Sequence, residues 1–161
     1  MRSTLEEKFR VLTLNVESPD TGVVARRTVR TTLEDWGVQD RVEDAILVVS
    51  ELIGNVFHHA SPDPALAKPG APRRLDLILR VWPGWLFLGV RDEDSRPPAF
   101  PMGDVFSPDL AADLPEALLP DRGRGLLLVQ CHADAFWWEP VEIGGKAIYC
   151  RFDLDSDRLA P

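Results

Sequence analysis

The apolar residues of the chain recur at two different spacings, and the spacing predicts which element each segment forms. Apolar residues at every second position indicate strands, whereas apolar residues three or four positions apart indicate helices. The predicted order is strand, two helices, two strands, a long loop, a helix and two strands. The predicted strands are 9–16, 75–81, 85–92, 135–139 and 146–154, and the predicted helices are 21–36, 40–60 and 126–131.

Glycine and proline mark the ends of these segments. Gly37 follows the first helix, where a left-handed residue commonly ends a helix. Pro83-Gly84 and Gly144-Gly145 each separate two strands and predict tight hairpins. Asp40, with Glu43 three residues later, resembles a capping box at the start of the second helix. The order of elements predicts an α/β (α+β) two-layer sandwich, in which helices cover one face of a mostly antiparallel mixed sheet.

Length and composition restrict the kind of protein. A chain of 161 residues fits a single domain, 1–161, with one core. The net charge of -8 argues against direct nucleic-acid binding, because phosphate affinity depends on clustered Lys and Arg. We interpret Arg26, Arg27 and Arg30 as a solvated helix face, with a protein-docking patch as the alternative.

The chain has no segment that predicts a membrane or an oxidising compartment. No apolar run approaches the roughly 20 residues of a membrane helix. Cys131 and Cys150 lie in a predicted helix and a predicted strand, so we interpret them as small apolar residues and not as a disulfide. Both observations predict a cytoplasmic protein that does not bind membranes.

The segment 93–122 interrupts the regular pattern. It contains six prolines, which break any long element, although 109–119 is compatible with a short helix. Loops of this length inside a compact domain usually have a function, so we predict a mobile lid at 93–122.

The strongest candidate site residues lie on the second helix. Glu51 and Asn55 are four residues apart, so they stack on one face together with His59, while the apolar residues form a separate stripe. Two interpretations are open at this point: a hydrogen-bonded pair on a wet surface, or one wall of a site.

Two further segments carry candidate chemistry. Asp92 ends an apolar strand and needs a donor, which is either a structural partner such as Arg91 or Arg96, or the exocyclic amine of a ligand. Gly123, Arg124, Gly125 and Leu126 open the last predicted helix, where bare backbone N–H groups favour phosphate. The glycines there also permit close helix packing, which is the alternative explanation.

Four segments together resemble one family. They match, in order, the motifs of the single-domain anti-sigma factor serine/threonine kinases, which belong to the histidine-kinase-like, gyrase-type ATPase superfamily with the Bergerat fold. SELIGNVFHHA resembles the asparagine box, VRDEDSRPP the aspartate box, GRGLLLV the glycine box after the lid, and GGKAIYCRF the closing strand. The resemblance covers about residues 9–152.

The resemblance implies a role for each matching residue. Asn55 would coordinate the Mg²⁺ ion that bridges the phosphates of ATP, and Asp92 would accept a hydrogen bond from the adenine amine. Glu51 would be the general base that takes the proton of an attacking serine hydroxyl or water. The phosphates would contact Gly123, Arg124, Gly125 and Leu126 as the lid closes.

The chain departs from the family pattern at two positions. Asp94 stands where many members have glycine, which affects the shape of the adenine pocket, and His58 stands where close relatives often have arginine. Gly54 is also unusual, because glycine inside a helix costs about 1 kcal/mol relative to alanine. A close approach of backbone or ligand is one explanation for it.

The resemblance implies a cytoplasmic bacterial regulator of transcription. We expect an ATP-binding serine/threonine protein kinase, a transferase, that binds a sigma factor and phosphorylates an anti-sigma factor antagonist protein. Family members often form homodimers, so a homodimer is also implied. The alternatives are a non-catalytic ATP-binding or partner-binding module of the same fold, which the absent glycine at position 94 favours, and a stand-alone ATP hydrolase.

Overall fold

The computed structural model describes residues 7–98, 129 and 132–154, which contain five strands and two helices. The bounds are Lys8–Asn15 (β1), Thr21–Asp35 (α1), Val42–His59 (α2), Arg74–Trp82 (β2), Trp85–Asp92 (β3), Ala135–Pro140 (β4) and Lys146–Asp153 (β5). Each predicted element in these ranges is present within one or two residues of its predicted ends. The periodicity prediction is therefore confirmed for the described part of the chain.

The five strands form one sheet in the order β1-β2-β3-β5-β4. All four pairings between these described strands are antiparallel. The prediction of a mostly antiparallel sheet is confirmed, and the mixed component is wrong for the described strands. Gly84, Gly144 and Gly145 all have positive φ, so both hairpin turns use glycine where side chains are disfavoured.

Both helices pack on one face of the sheet, as predicted. On β2 every second residue, from Leu75 to Val81, is buried, while the residues between them are half-buried. These side chains meet a helical stripe that includes Val29 of α1 and Leu52 of α2, which are almost fully buried. The result is a two-layer α+β sandwich with its core between the helices and the sheet.

The start of α2 differs from the prediction. A short 3₁₀ helix, Gln39–Arg41, precedes it, and the N-cap residue of α2 is Arg41, with no side-chain hydrogen bond to the cap. The predicted capping box at Asp40 and Glu43 is therefore wrong. The extra tight turn moves the first residue of the α-helix to Val42, so the spacing between Asp40 and Glu43 no longer spans an α-helical start.

Several predictions concern residues outside the described ranges. They include most of the lid at 93–122, the helix at 126–131 and Cys131; within that helix Val129 is helical and buried. Cys150 is buried in β5 as a free thiol, and Arg26, Arg27 and Arg30 are exposed on α1, both as predicted. Among the described helices, none is long and apolar enough to cross a membrane.

Candidate functional site

A cavity of about 470 Å³ lies where α2 ends, β3 ends and β5 begins. Asn55, His58 and His59 of α2 line one side of it. Asp92 and Lys146 line the other side. The structure therefore brings together two of the predicted site residues, Asn55 and Asp92, although 37 positions separate them along the chain.

The end of α2 is held against the sheet by two arginines. The guanidinium of Arg73 donates to the carbonyl oxygens of Ala60 at 2.8 Å and Phe57 at 3.2 Å. Arg96 donates to the carbonyl oxygen of His59 at 3.2 Å. The last carbonyls of a helix have no partner within the helix and carry negative partial charge, so these cations satisfy and stabilise them. This anchoring sets the position of Asn55 relative to the end of β3.

Asp92 is buried and has a protein partner. Its side chain is 3 % exposed, and Oδ1 accepts hydrogen bonds from Lys146 Nζ at 3.2 Å and from the backbone N–H of Asp94 at 2.8 Å. Burial raises the pKa of the Asp92 carboxyl, and the charge of Lys146 offsets part of that effect. A structural partner thus exists, but it is neither Arg91 nor Arg96, the two arginines that the sequence suggested.

Those two arginines bind other carboxylates. Arg91 pairs with Asp76 on the neighbouring strand β2. Arg96 binds both oxygens of Asp94, with Nε to Oδ1 at 3.0 Å and a terminal nitrogen to Oδ2 at 2.6 Å. Charged donors of β3 and the following turn are therefore already occupied, which leaves Lys146 as the cation beside Asp92.

Asp94 also lines the cavity. It is 4 % exposed, and Oδ2 also accepts a hydrogen bond from the backbone N–H of Ser61 at 2.9 Å. Burial opposes ionisation of Asp94, but the hydrogen bonds from Arg96 and Ser61 outweigh it and hold the pKa of Asp94 well below its ordinary value. The residue that replaces the family's glycine is thus an ionised structural link between the end of α2 and the end of β3.

Glu51 occupies a different position from the other site residues. It is half-buried on α2, one turn before Asn55 and about 6 Å away along the helix axis. It is not among the described residues that line the cavity. Gly123, Arg124, Gly125 and Leu126 lie outside the described residues, so their predicted contact with phosphate stays a prediction.

Lys146 is the site residue that the sequence interpretation missed. It follows the Gly144-Gly145 turn, and in the register of the sheet it lies directly opposite Asp92. A lysine directly before the apolar residues Ala147 and Ile148 was the available signal. It could not be used, because the register between β3 and β5 depends on a connection of more than 50 residues.

The cavity fits a nucleotide with its metal in two respects. Its volume lies within the range of about 300 to 1,000 Å³ that is typical of small-molecule sites. The second respect is the type of metal ligand, since the described residues contain no cluster of three or more His, Cys, Asp and Glu that could hold a metal by itself. Magnesium usually takes one or two protein oxygens and completes its shell with water and phosphate, so the carboxamide of Asn55 suits it as a ligand.

Comparison with known proteins adds no family assignment. No protein-family model matches the chain, and no curated protein matches it either. The residues of the site therefore carry the functional proposal.

Proposed function

We propose that the chain is an ATP-binding regulatory serine/threonine protein kinase that acts as an anti-sigma factor and phosphorylates an anti-sigma factor antagonist. In this proposal the α+β sandwich is a Bergerat ATP-binding fold. The observation that supports it most is that Asn55 and Asp92 line one cavity of about 470 Å³. The motifs at 50–60 and 90–98, which resemble the family, contribute these two residues and most of the other residues that line the cavity.

Each residue has a defined task in the proposed reaction. Asn55 would hold the Mg²⁺ ion, which supplies neutralisation of phosphate charge during transfer. Asp92 would accept a hydrogen bond from the adenine amine. Glu51 would take the proton of the attacking serine hydroxyl while the serine oxygen bonds to the γ-phosphorus and the bond between that phosphorus and the β,γ-bridging oxygen breaks, releasing ADP.

Calorimetry of the full chain with ATP and Mg²⁺ tests the nucleotide half of the proposal. Asn55→Ala and Asp92→Ala should each weaken ATP binding at least tenfold. Gln39→Ala is the matched control for Asn55, because Gln39 is an exposed carboxamide before α2 that does not line the cavity. The absence of heat of binding for the unaltered chain, or equal affinity of all three variants, would contradict nucleotide binding in this cavity.

Transfer of labelled phosphate tests the kinase half. With a purified antagonist candidate, Glu51→Ala should abolish phosphoserine formation and leave ATP affinity within about twofold. Glu43→Ala is the control, because Glu43 is an exposed carboxylate on the same helix. Transfer at the normal rate in the Glu51 variant would remove that residue as the general base.

One observation favours the second candidate function, a non-catalytic ATP-binding or partner-binding module. Glu51 is not among the described residues that line the cavity, whereas Asn55 and Asp92 are, so the described lining supports ligand binding without supplying a general base. This function predicts ATP binding without phosphoserine on any antagonist candidate. The two assays above separate it from the kinase.

A further inference from the structure

Lys146 is almost fully buried. Its side chain is 6 % exposed, and its partner Asp92 is 3 % exposed. Lysine is almost never fully buried unless it is paired. A buried ion pair is nevertheless weak support for a stabilising role, since desolvation of both charges offsets their attraction. The pair therefore calls for a reason other than stability.

The backbone at this point is built to hold Lys146 against Asp92. Gly145 has φ +87, and a Cβ added to it would overlap the carbonyl oxygen of Asp92. Only glycine lets the turn before β5 pass so close to the end of β3. Lys146, the next residue, is consequently fixed beside Asp92 in the cavity wall.

The hydrogen bonds of the pair leave one donor and one acceptor for a ligand. An ammonium group has three N–H donors, and that of Lys146 uses two of them, on Oδ1 of Asp92 at 3.2 Å and on the carbonyl oxygen of Asp94 at 3.1 Å. Both protein donors to Asp92 use Oδ1, and no group of the described residues donates to Oδ2. The third N–H of Lys146 and Oδ2 of Asp92 therefore remain for a ligand in the cavity.

This pairing selects among nucleobases. The edge of adenine presents an amine donor, N6, beside an unprotonated ring acceptor, N1, so one carboxylate oxygen and one ammonium N–H satisfy it. Guanine presents O6, N1–H and the 2-amino group, so the same pair satisfies only O6 and N1–H, and the 2-amino group then requires a second carboxylate oxygen. Because Oδ1 already accepts two hydrogen bonds, the site suits adenine better.

We propose that Lys146 is a specificity-determining residue that donates a hydrogen bond to N1 of the adenine ring. The neighbouring 6-amino group would donate its hydrogen bond to Asp92. This proposal rests on the nucleotide binding proposed above. The competing explanation is that Lys146 only neutralises Asp92 and keeps it in place.

The test compares ATP with 1-deaza-ATP, in which a C–H replaces N1 and the 6-amino group remains. Calorimetry with Mg²⁺ is carried out on the unaltered chain, on Lys146→Met, and on the control Lys68→Met, which changes an exposed lysine in the loop before β2. We expect the unaltered chain and the control to prefer ATP by about tenfold or more, the usual range for a hydrogen bond to a charged group. In Lys146→Met the preference should fall to about one, mainly through weaker binding of ATP.

Each other outcome has a definite meaning. Should Lys146→Met weaken both nucleotides by the same factor and keep the preference, Lys146 acts only through Asp92 and the proposal is overturned. An unaltered chain that binds both nucleotides equally overturns it without any variant, so a misfolded Lys146→Met does not leave the question open. If the unaltered chain binds neither nucleotide, the proposed function fails as well. If ATP binding is weakened in Asn55→Ala but the unaltered chain does not prefer ATP over 1-deaza-ATP, only the proposed role of Lys146 is contradicted.

Discussion

Gly54→Ala should stabilise the protein, and the structure supplies the reason. Gly54 lies in the interior of α2, where glycine is about 0.8 to 1.0 kcal/mol less favourable than alanine. A Cβ added at this position meets no atom of the described residues within 4 Å. The new methyl group therefore has room, and the gain in helix propensity is not opposed by a clash.

The expected magnitude is about 1 kcal/mol in the free energy of unfolding. For a chain of this length that corresponds to a rise of roughly 2 to 4 °C in Tm. Urea denaturation followed by circular dichroism measures it, with an unchanged dependence on urea concentration showing that the unfolded states are comparable.

Gly89→Ala is the matched control because it is the same chemical change with the opposite surroundings. Gly89 lies in β3, and its added Cβ would be 2.6 Å from Cδ1 of Tyr149. The ring would have to move, so we expect destabilisation of about 1 to 3 kcal/mol. A loss of stability in Gly54→Ala as large as that in Gly89→Ala would refute the reasoning from available space.

The same variant also tests why a glycine stands at position 54. No described atom outside its own helix lies within 4 Å of the added Cβ, and the explanation that we test is the approach of a ligand. If that explanation is correct, Gly54→Ala binds ATP at least several-fold more weakly while it unfolds at a higher temperature. Unchanged ATP affinity would contradict the approach of a ligand as the reason for glycine at this position.

Three further changes probe the anchoring of α2, the ionised carboxylate and the core. Arg73→Met removes the cation that satisfies the last carbonyls of α2 and should lower the free energy of unfolding by roughly 1 to 2 kcal/mol in urea denaturation, whereas Arg74→Met should not. Asp94 has a depressed pKa, so its contribution to the free energy of unfolding is present above about pH 4 and is lost as the pH falls. Between pH 5 and pH 3 the free energy of unfolding should therefore fall less steeply in Asp94→Asn than in the unaltered chain. Leu79→Ala leaves a cavity at a fully buried position of β2 and should cost about 2 to 5 kcal/mol.

Each of these expectations has an outcome that contradicts it. Equal effects of the Arg73 and Arg74 variants would show that the carbonyl contacts do not matter. Parallel pH profiles for the unaltered chain and Asp94→Asn would show that Asp94 is not held ionised by its partners. A cost below 1 kcal/mol for Leu79→Ala would show that the core at β2 is loosely packed.

Short stretches of sequence were enough to predict the elements whose signals are local. Alternating apolar residues predicted β2 and β3 because side chains of a strand point to opposite faces in turn, and Gly84 predicted the hairpin because few other residues tolerate its backbone conformation. The helical stripe of α2 likewise followed from a spacing of three and four residues. Even a local signal failed at Asp40, where a 3₁₀ turn changed the spacing.

Which side chains share the site depends on how the elements pack together. Asp92 and Lys146 are 54 positions apart, and they meet because β3 and β5 pair in one register out of many that local patterns allow. The contact of Arg73 with the end of α2 also depends on packing, whereas Arg96 and Asp94 are only two residues apart and form a local pair. Periodicity specifies which face of an element is buried, but the pairing of charges depends on long-range register and packing, which no short stretch of sequence contains.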